Sequence, residues 1–397
     1  MSDRDEGDSS IESRRKFLAG VGAAGVAAVA GCSGESGGGS GDSTTESSGG
    51  SESTTTGSSD QTTEAASGET ETAESEESQP SRVSAEGSST VYPISNTASS
   101  YWNSNPPADD EEYWGPGQYD IDTDKRLADY FAGLYGFEAT GETANPPFPV
   151  QVGLSHSGTG VKAVMEEQVD IGNSSAPVEA ELDNPSEETL NKFKDHVVGR
   201  DGQPIVVSKQ IYDAGVTKLT AQQVTQIYQG EITNWSEIDS YEGEDKEIYA
   251  VGRAEGSGTD TAFRSNLLGD ANASMSGVDT RKGQNQQVQT LVQQSDNAIA
   301  YMALAFVSDQ VPAVAFESED GTVYELGEDP GLGASDYPLN RDLHMYTWEE
   351  TDKRESAFIN MMLSPMGQEL FVQGNNYFPL PQSEIENQRS KLASQSN

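Results

Sequence analysis

Arg253 stands four residues ahead of Ser257, Gly258 and Thr259, and a stretch of helical spacing follows with Ala262, Phe263, Leu267 and Leu268. A guanidinium is a planar fork of donors suited to an oxyanion. Glycines let a backbone turn its N–H groups toward a guest, and hydroxyls add further donors. A helix start contributes free N–H groups and a positive dipole end. Together these residues can hold a tetrahedral anion such as phosphate. The same Gly/Ser/Thr loop also reads as an ordinary helix N-cap, so it needs company before it defines a site.

The chain supplies that company. Ser89, Thr90, Val91 and Tyr92 follow a short strand and open a helix reaching Tyr101 and Trp102. Ser157, Gly158 and Thr159 follow a strand over 149–154 and open a helix with Val161, Val164 and Met165 inward. A further short strand over 170–173 runs into Ser174, Ser175, Ala176 and Pro177. Three strand–turn–helix units of this kind, in an alternating α/β chain, place their turns at strand carboxyl ends, where ligands bind. Each charge-assisted hydrogen bond contributes roughly 1.5–3 kcal/mol. Several around one anion reach micromolar affinity, about −8 kcal/mol, after association costs.

The remaining elements follow in order. Residues 203–208 form a strand able to cross between lobes. Thr220 and Gln223 make a capping box for a helix that Gly230 ends. Residues 283–294 make a helix, 298–302 a buried strand, and 337–346 a return strand. Helices over 357–362 and 365–372 close the fold. Residues 103–145, rich in Pro, Asp and Glu with one helix over 125–134, read as an acidic surface insertion.

Other chemistry is disfavoured. Gly153 and Gly158 have P-loop spacing, but Thr159 stands where the lysine belongs, which argues against nucleotide hydrolysis. No Gly-x-Ser-x-Gly elbow is present. His156, His196 and His344 have no metal-ligand spacing, so neither metal nor cofactor is expected. A loop histidine such as His156 is more often solvated than ligand-bound.

The chain of 397 residues carries 66 acidic and 23 basic residues, a formal net charge of −43. Such a surface argues against nucleic acid and anionic lipid headgroups as partners. Acids spread along the whole chain, with few lysines, read as adaptation to very high salt. At about 1 M salt the Debye length is about 3 Å, so local donors rather than the global field decide anion binding. Ser13, Arg14, Arg15, Lys16, Phe17 and Leu18 read as a twin-arginine export signal, and residues 19–30 as its short apolar run. Val29, Ala30, Gly31 and Cys32 form a lipobox, with Cys32, the sole cysteine, as the lipidation site. Residues 33–82 are a Ser/Thr/Gly/Glu tether with too little apolar surface to fold.

From about residue 83 to 381 the chain resembles the periplasmic-type phosphate-binding proteins of ATP-driven phosphate transporters. The matching stretches are residues 87–93, 157–162, 170–177, 219–235 (LTAQQVTQIYQGEITNW), 253–259, 299–301, 337–341 and 364–380 (SPMGQELFVQGNNYFPL). The resemblance implies an α/β, two-lobed periplasmic-binding-protein fold of type II, with phosphate in the interlobe cleft. It implies lobe 1 over 83–203 and 338–385, lobe 2 over 204–337, and a tail over 386–397. Ser89, Thr90, Val91, Tyr92, Ser157 and Ser175 would face the ligand from the first lobe. Arg253, Ser257, Gly258 and Thr259 would face it from the second. Glu255 occupies the position of a family acid expected to hold the arginine. Many members carry an aspartate where Ser175 stands, to accept the proton of hydrogen phosphate. Without it, sulfate should be rejected less well, unless a nearby acid such as Glu179 substitutes. The implied protein is not an enzyme. It is a lipid-anchored extracellular receptor delivering phosphate to an ABC permease with a cytoplasmic ATPase. The alternatives are a binder of another oxyanion, such as sulfate or molybdate, and a secreted phosphatase-like enzyme.

Overall fold

The computed structural model describes residues 82–396. The twin-arginine signal, Cys32 and the tether up to residue 81 lie outside the described residues. The strands are β1 (Val83–Ser88), β2 (Val150–Ser155), β3 (Ile171–Ser174), β4 (Phe193–Gly202), β5 (Ile205–Val207), β6 (Lys218–Thr220), β7 (Tyr249–Arg253), β8 (Thr280–Lys282), β9 (Ala298–Tyr301), β10 (Ala315–Glu317), β11 (Val323–Tyr324) and β12 (Asn340–Trp348).

Three sheets divide them. The first has the order β2-β1-β3-β12-β4. β1 is parallel to both β2 and β3, while β12 returns antiparallel between β3 and β4. The chain therefore leaves β1 in two directions, which opens a crevice beyond its carboxyl end. The second sheet, β5-β9-β7-β8, comes wholly from the middle of the chain, as does the small β11-β10-β6 sheet. This is the mixed α/β, two-lobed arrangement expected from the sequence.

Local sequence explains the main helices. Pro93 sits in the first turn of Tyr92–Ser104, where its missing N–H costs nothing. Thr220 and Gln223 make both bonds of the capping box on Ala221–Gln229, and Gly230 ends it at φ 78°. Helix Ser157–Met165 lies hard against β1. A Cβ at Gly160 would fall 2.5 Å from the Glu86 carbonyl, so only glycine permits this approach.

Two expectations change. Residues 103–145 are not only a surface insertion. Trp114 is fully buried, donates its indole N–H to the Lys125 carbonyl at 2.8 Å and packs against Phe131. The clustered acids around it had masked one strong core residue. The helix there spans Leu127–Gly133. At the other end, the helix Gln382–Arg389 runs across residue 386, where a tail was expected to begin. Its Gln388 accepts the Val197 N–H, tying it to β4.

Candidate anion-binding site

Each predicted donor cluster begins at a strand's carboxyl end. Ser89 and Thr90 follow β1, Ser157 follows β2, Ser175 follows β3, and Ser257, Gly258 and Thr259 follow β7. Ser89, Thr90, Ser157, Ser175, Arg253, Ser257 and Thr259 are all buried. The structure links clusters from the two lobes directly. The Thr90 and Thr259 hydroxyls lie 3.0 Å apart, and Arg253 Nη2 donates to Ser89 Oγ at 3.1 Å. Ser175 connects Ser88 and Ser157 at 3.0 and 3.4 Å, and its own N–H donates to Ser157 Oγ. A Cβ at Gly258 would meet Ser157 Oγ at 2.3 Å and Ser175 Oγ at 2.7 Å. Only glycine lets the second-lobe loop come this close.

Not every predicted residue brings a side chain. Val91 packs into the apolar core, and Tyr92 is a half-buried first residue of its helix. What they can offer is the N–H end of that helix. Thr159 is exposed, and Ser257 is the N-cap residue of Gly258–Phe263 without a side-chain capping bond.

Arg253 is positioned by the core of the second lobe. Phe263 and Tyr301 stack with centroids 3.9 Å apart, and Tyr228 meets both edge-on. Fully burying such rings is worth roughly 1.5–3 kcal/mol each. The stack fixes the Tyr301 hydroxyl, which accepts the Arg253 N–H at 3.0 Å and donates to Asp260. The guanidinium itself donates to the Lys282 carbonyl at 3.2 Å, the Gly283 carbonyl at 2.8 Å and the Asn285 amide oxygen. Burial, followed by the like charge of Arg341, pulls its pKa down to about 9. It is still a cation at neutral pH, surrounded by neutral acceptors.

Two acidic expectations fail. Glu255 is exposed and makes no ion pair with Arg253. The loop bends outward there, and neutral acceptors on 282–285 take its place. Glu179 is also exposed, because it faces away on the short helix Val178–Glu181. The acid that turns inward is Glu181, which is buried next to Gly158.

Three participants went unassigned at the sequence level. Asn285 donates to both Ser89 Oγ and Thr90 Oγ1 at 3.1 Å while its amide oxygen receives Arg253. Arg341, on β12, reaches Thr90 Oγ1 at 3.3 Å, Ser175 Oγ at 3.5 Å and the Gly258 carbonyl at 3.1 Å. Asp201, on β4, holds Arg341 through Nε at 3.0 Å and through Nη2. Arg341 lay within a stretch already matched to the family, yet nothing local distinguished it from a strand residue.

Residues 134–366 match the family model described as the PBP superfamily domain. The chain belongs to the PBP superfamily. Within it, the chain is 28% identical over 241 residues to the phosphate-binding protein PstS of Bacillus subtilis (strain 168), covering 61% of this chain and 74% of that protein. It is 22% identical over 249 residues to the PstS of Staphylococcus aureus (strain MRSA252), covering 61% and 73%. Among solved structures, it shares its fold with a putative phosphate ABC transporter substrate-binding protein with bound phosphate from Clostridium perfringens. The TM-score is 0.54 at 24% identity, over 76% of this chain and 100% of that one. Among the described residues there is no candidate metal cluster and no helix long and apolar enough to cross a membrane.

Proposed function

We propose that this protein captures inorganic phosphate between its lobes and delivers it to an ABC-type import permease. The observation that carries this reading is the buried Arg253, held by neutral acceptors and aimed at hydroxyls of the opposite lobe. A buried cation without a carboxylate partner retains its attraction for an anionic guest. The relatives are named as phosphate-binding proteins rather than enzymes. The proposed ligand set is Ser89, Thr90, Ser157, Ser175, Arg253, Ser257, Gly258 and Thr259, with the N–H end of the helix that starts at Val91 and Tyr92.

The lobes are assigned as 83–203 with 338 through the helix Gln382–Arg389, and 204–337. The two crossovers touch: the Gln203 N–H donates to the Leu339 carbonyl, and the Tyr337 hydroxyl to the Gln203 carbonyl at 2.9 Å. Rotation about this pair opens the cleft, and phosphate shifts the population toward the closed form that the permease recognises. Twin-arginine export and lipidation at Cys32 would hold the receptor outside the cell, and the mass of the mature protein checks the lipid. Equilibrium dialysis in high salt with radiolabelled phosphate tests binding. A second reading, a receptor for sulfate or another oxyanion, is favoured by Ser175 in place of a carboxylate. Sulfate at large excess should displace phosphate. Phosphate retained fully under that excess removes this second reading, and no phosphate bound at all removes the first.

A further inference from the structure

The oxyanion site contains two buried arginines, and the second has a distinct setting. Arg341 is nearly sealed from solvent, and its guanidinium touches groups from both lobes: Thr90 and Ser175 on one side, the Gly258 carbonyl on the other. Asp201 fixes it, and is itself anchored by the Leu304 N–H at 2.9 Å. Counting Arg253, Arg341 and Asp201, the buried cluster carries one net positive charge. Beyond one another, the serine and threonine hydroxyls are reached by guanidinium and amide donors from Arg253, Arg341 and Asn285. Asp201 is committed to Arg341, and Asp260 to Arg264, Arg281 and Tyr301. A tetrahedral anion entering this cluster meets two cations, and the one carboxyl left uncommitted nearby is Glu181, beside Gly158.

We infer that Arg341, held in place by Asp201, is a specificity-determining residue that makes the site prefer the doubly charged tetrahedral oxyanion over the singly charged form. This rests on the phosphate reading above. The physical basis is differential. A second guanidinium attracts a dianion more than a monoanion, and in a buried site that difference is weakly screened. A second proton on the anion would also need an acceptor, and the buried Glu181, the one uncommitted carboxyl nearby, is itself driven toward its protonated form by burial. Phosphate affinity should therefore follow the dianion fraction, falling about tenfold per pH unit below the second ionisation of phosphate.

Other groups near Arg341 could imitate such a profile. Facing it or the cluster are Asp201 from β4, Glu181 from the helix Val178–Glu181, Arg253 from β7, and Tyr337 and Tyr377 from the crossover and closing segments. His156 stands near Arg253. Burial pushes both tyrosines well above their ordinary value, so they stay neutral. Burial raises Glu181 to about 7, with Arg341 opposing, so Glu181 is the group to control for.

The test is equilibrium dialysis of radiolabelled phosphate with the full chain between pH 5 and 8.5, in high salt. It compares the native protein with Arg341→Gln, the double variant Asp201→Asn/Arg341→Gln, and Glu181→Gln. The double variant removes the buried pair together, so no lone carboxylate is left to unfold the protein. Its far-UV circular dichroism checks folding. At pH 8.5 the double variant should bind at least tenfold more weakly, and its affinity should vary less than threefold across the range. Glu181→Gln should keep the native pH profile. The inference is overturned if the double variant binds within twofold of native with an unchanged profile. It is equally overturned if Glu181→Gln abolishes the pH dependence. Native protein that binds no phosphate at any pH would instead contradict the phosphate reading itself.

Discussion

The two arginines of the site differ in how they are held. Arg253 gives its donors to two backbone carbonyls, one amide oxygen and a serine hydroxyl. Arg341 is clamped by a fully buried carboxylate. Neutral acceptors orient a guanidinium without cancelling its charge, whereas a carboxylate orients it and offsets much of the field. Arg253 is thus the anion's main counter-charge, and Arg341 is a firmly fixed adjuster. The difference also separates the carboxylates: Asp201 and Glu181 stand on the Arg341 side, and Glu255, beside Arg253 in sequence, points to solvent.

The comparison can be broken in several ways. After loss of Arg253 itself, the largest effect expected is from Gly258→Ala, whose Cβ would collide with Ser157 and Ser175 and stop the second-lobe loop from reaching either arginine's partners. Phosphate binding should fall a hundredfold or more, about 3 kcal/mol, by dialysis. A loss under threefold would show that the two clusters need not meet.

A smaller effect belongs to Glu181 on the Arg341 side. The Gly158 N–H is given to the Gly256 carbonyl and the Thr261 hydroxyl to the Ser257 carbonyl, so neither satisfies its carboxyl. Its folded pKa is about 7, against an ordinary 4.5, chiefly from burial. Stability from the protonated form is fully present below the ordinary value and is lost as pH rises through about 7. Glu181→Gln should therefore be more stable than native at pH 8, by about 1–3 kcal/mol, and match it at pH 4. Thermal melts at both pH values measure it, and a variant less stable at pH 8 would mean that the carboxylate is stabilised there. The smallest effect is expected for Glu255→Ala. If neutral acceptors alone hold Arg253, phosphate affinity changes less than twofold. A tenfold loss would restore Glu255 as its anchor.

The same contrast explains what the sequence could show. Arg253 announces itself because its companions Ser257, Gly258 and Thr259 lie within six positions, and a glycine-bearing loop before a helix has few readings. The capping box at Thr220 and the αL glycine at 230 are equally local, and both formed. Arg341 and Asp201 are 140 positions apart, and Arg341 and Thr90 are 251 apart. Only the order of strands in the first sheet, with β12 inserted between β3 and β4, brings them together. Asn285 lay unmarked within the helix read over 283–294, yet its amide bridges Arg253 to Ser89 and Thr90. Glu179 and Glu181 traded places for a related reason. Neighbourhood in sequence suggested the first, but backbone direction decided which carboxylate turned inward. Trp114 was hidden by the acids that surround it.

The most direct test of the central claim is a calorimetric titration of native protein and Arg253→Ala with phosphate, in high salt at pH 8. The account predicts saturable one-to-one binding at micromolar affinity or tighter for the native chain. It predicts at least a thousandfold loss for the variant, about 4 kcal/mol, while far-UV circular dichroism stays unchanged. A folded Arg253→Ala that binds phosphate within tenfold of native would contradict it.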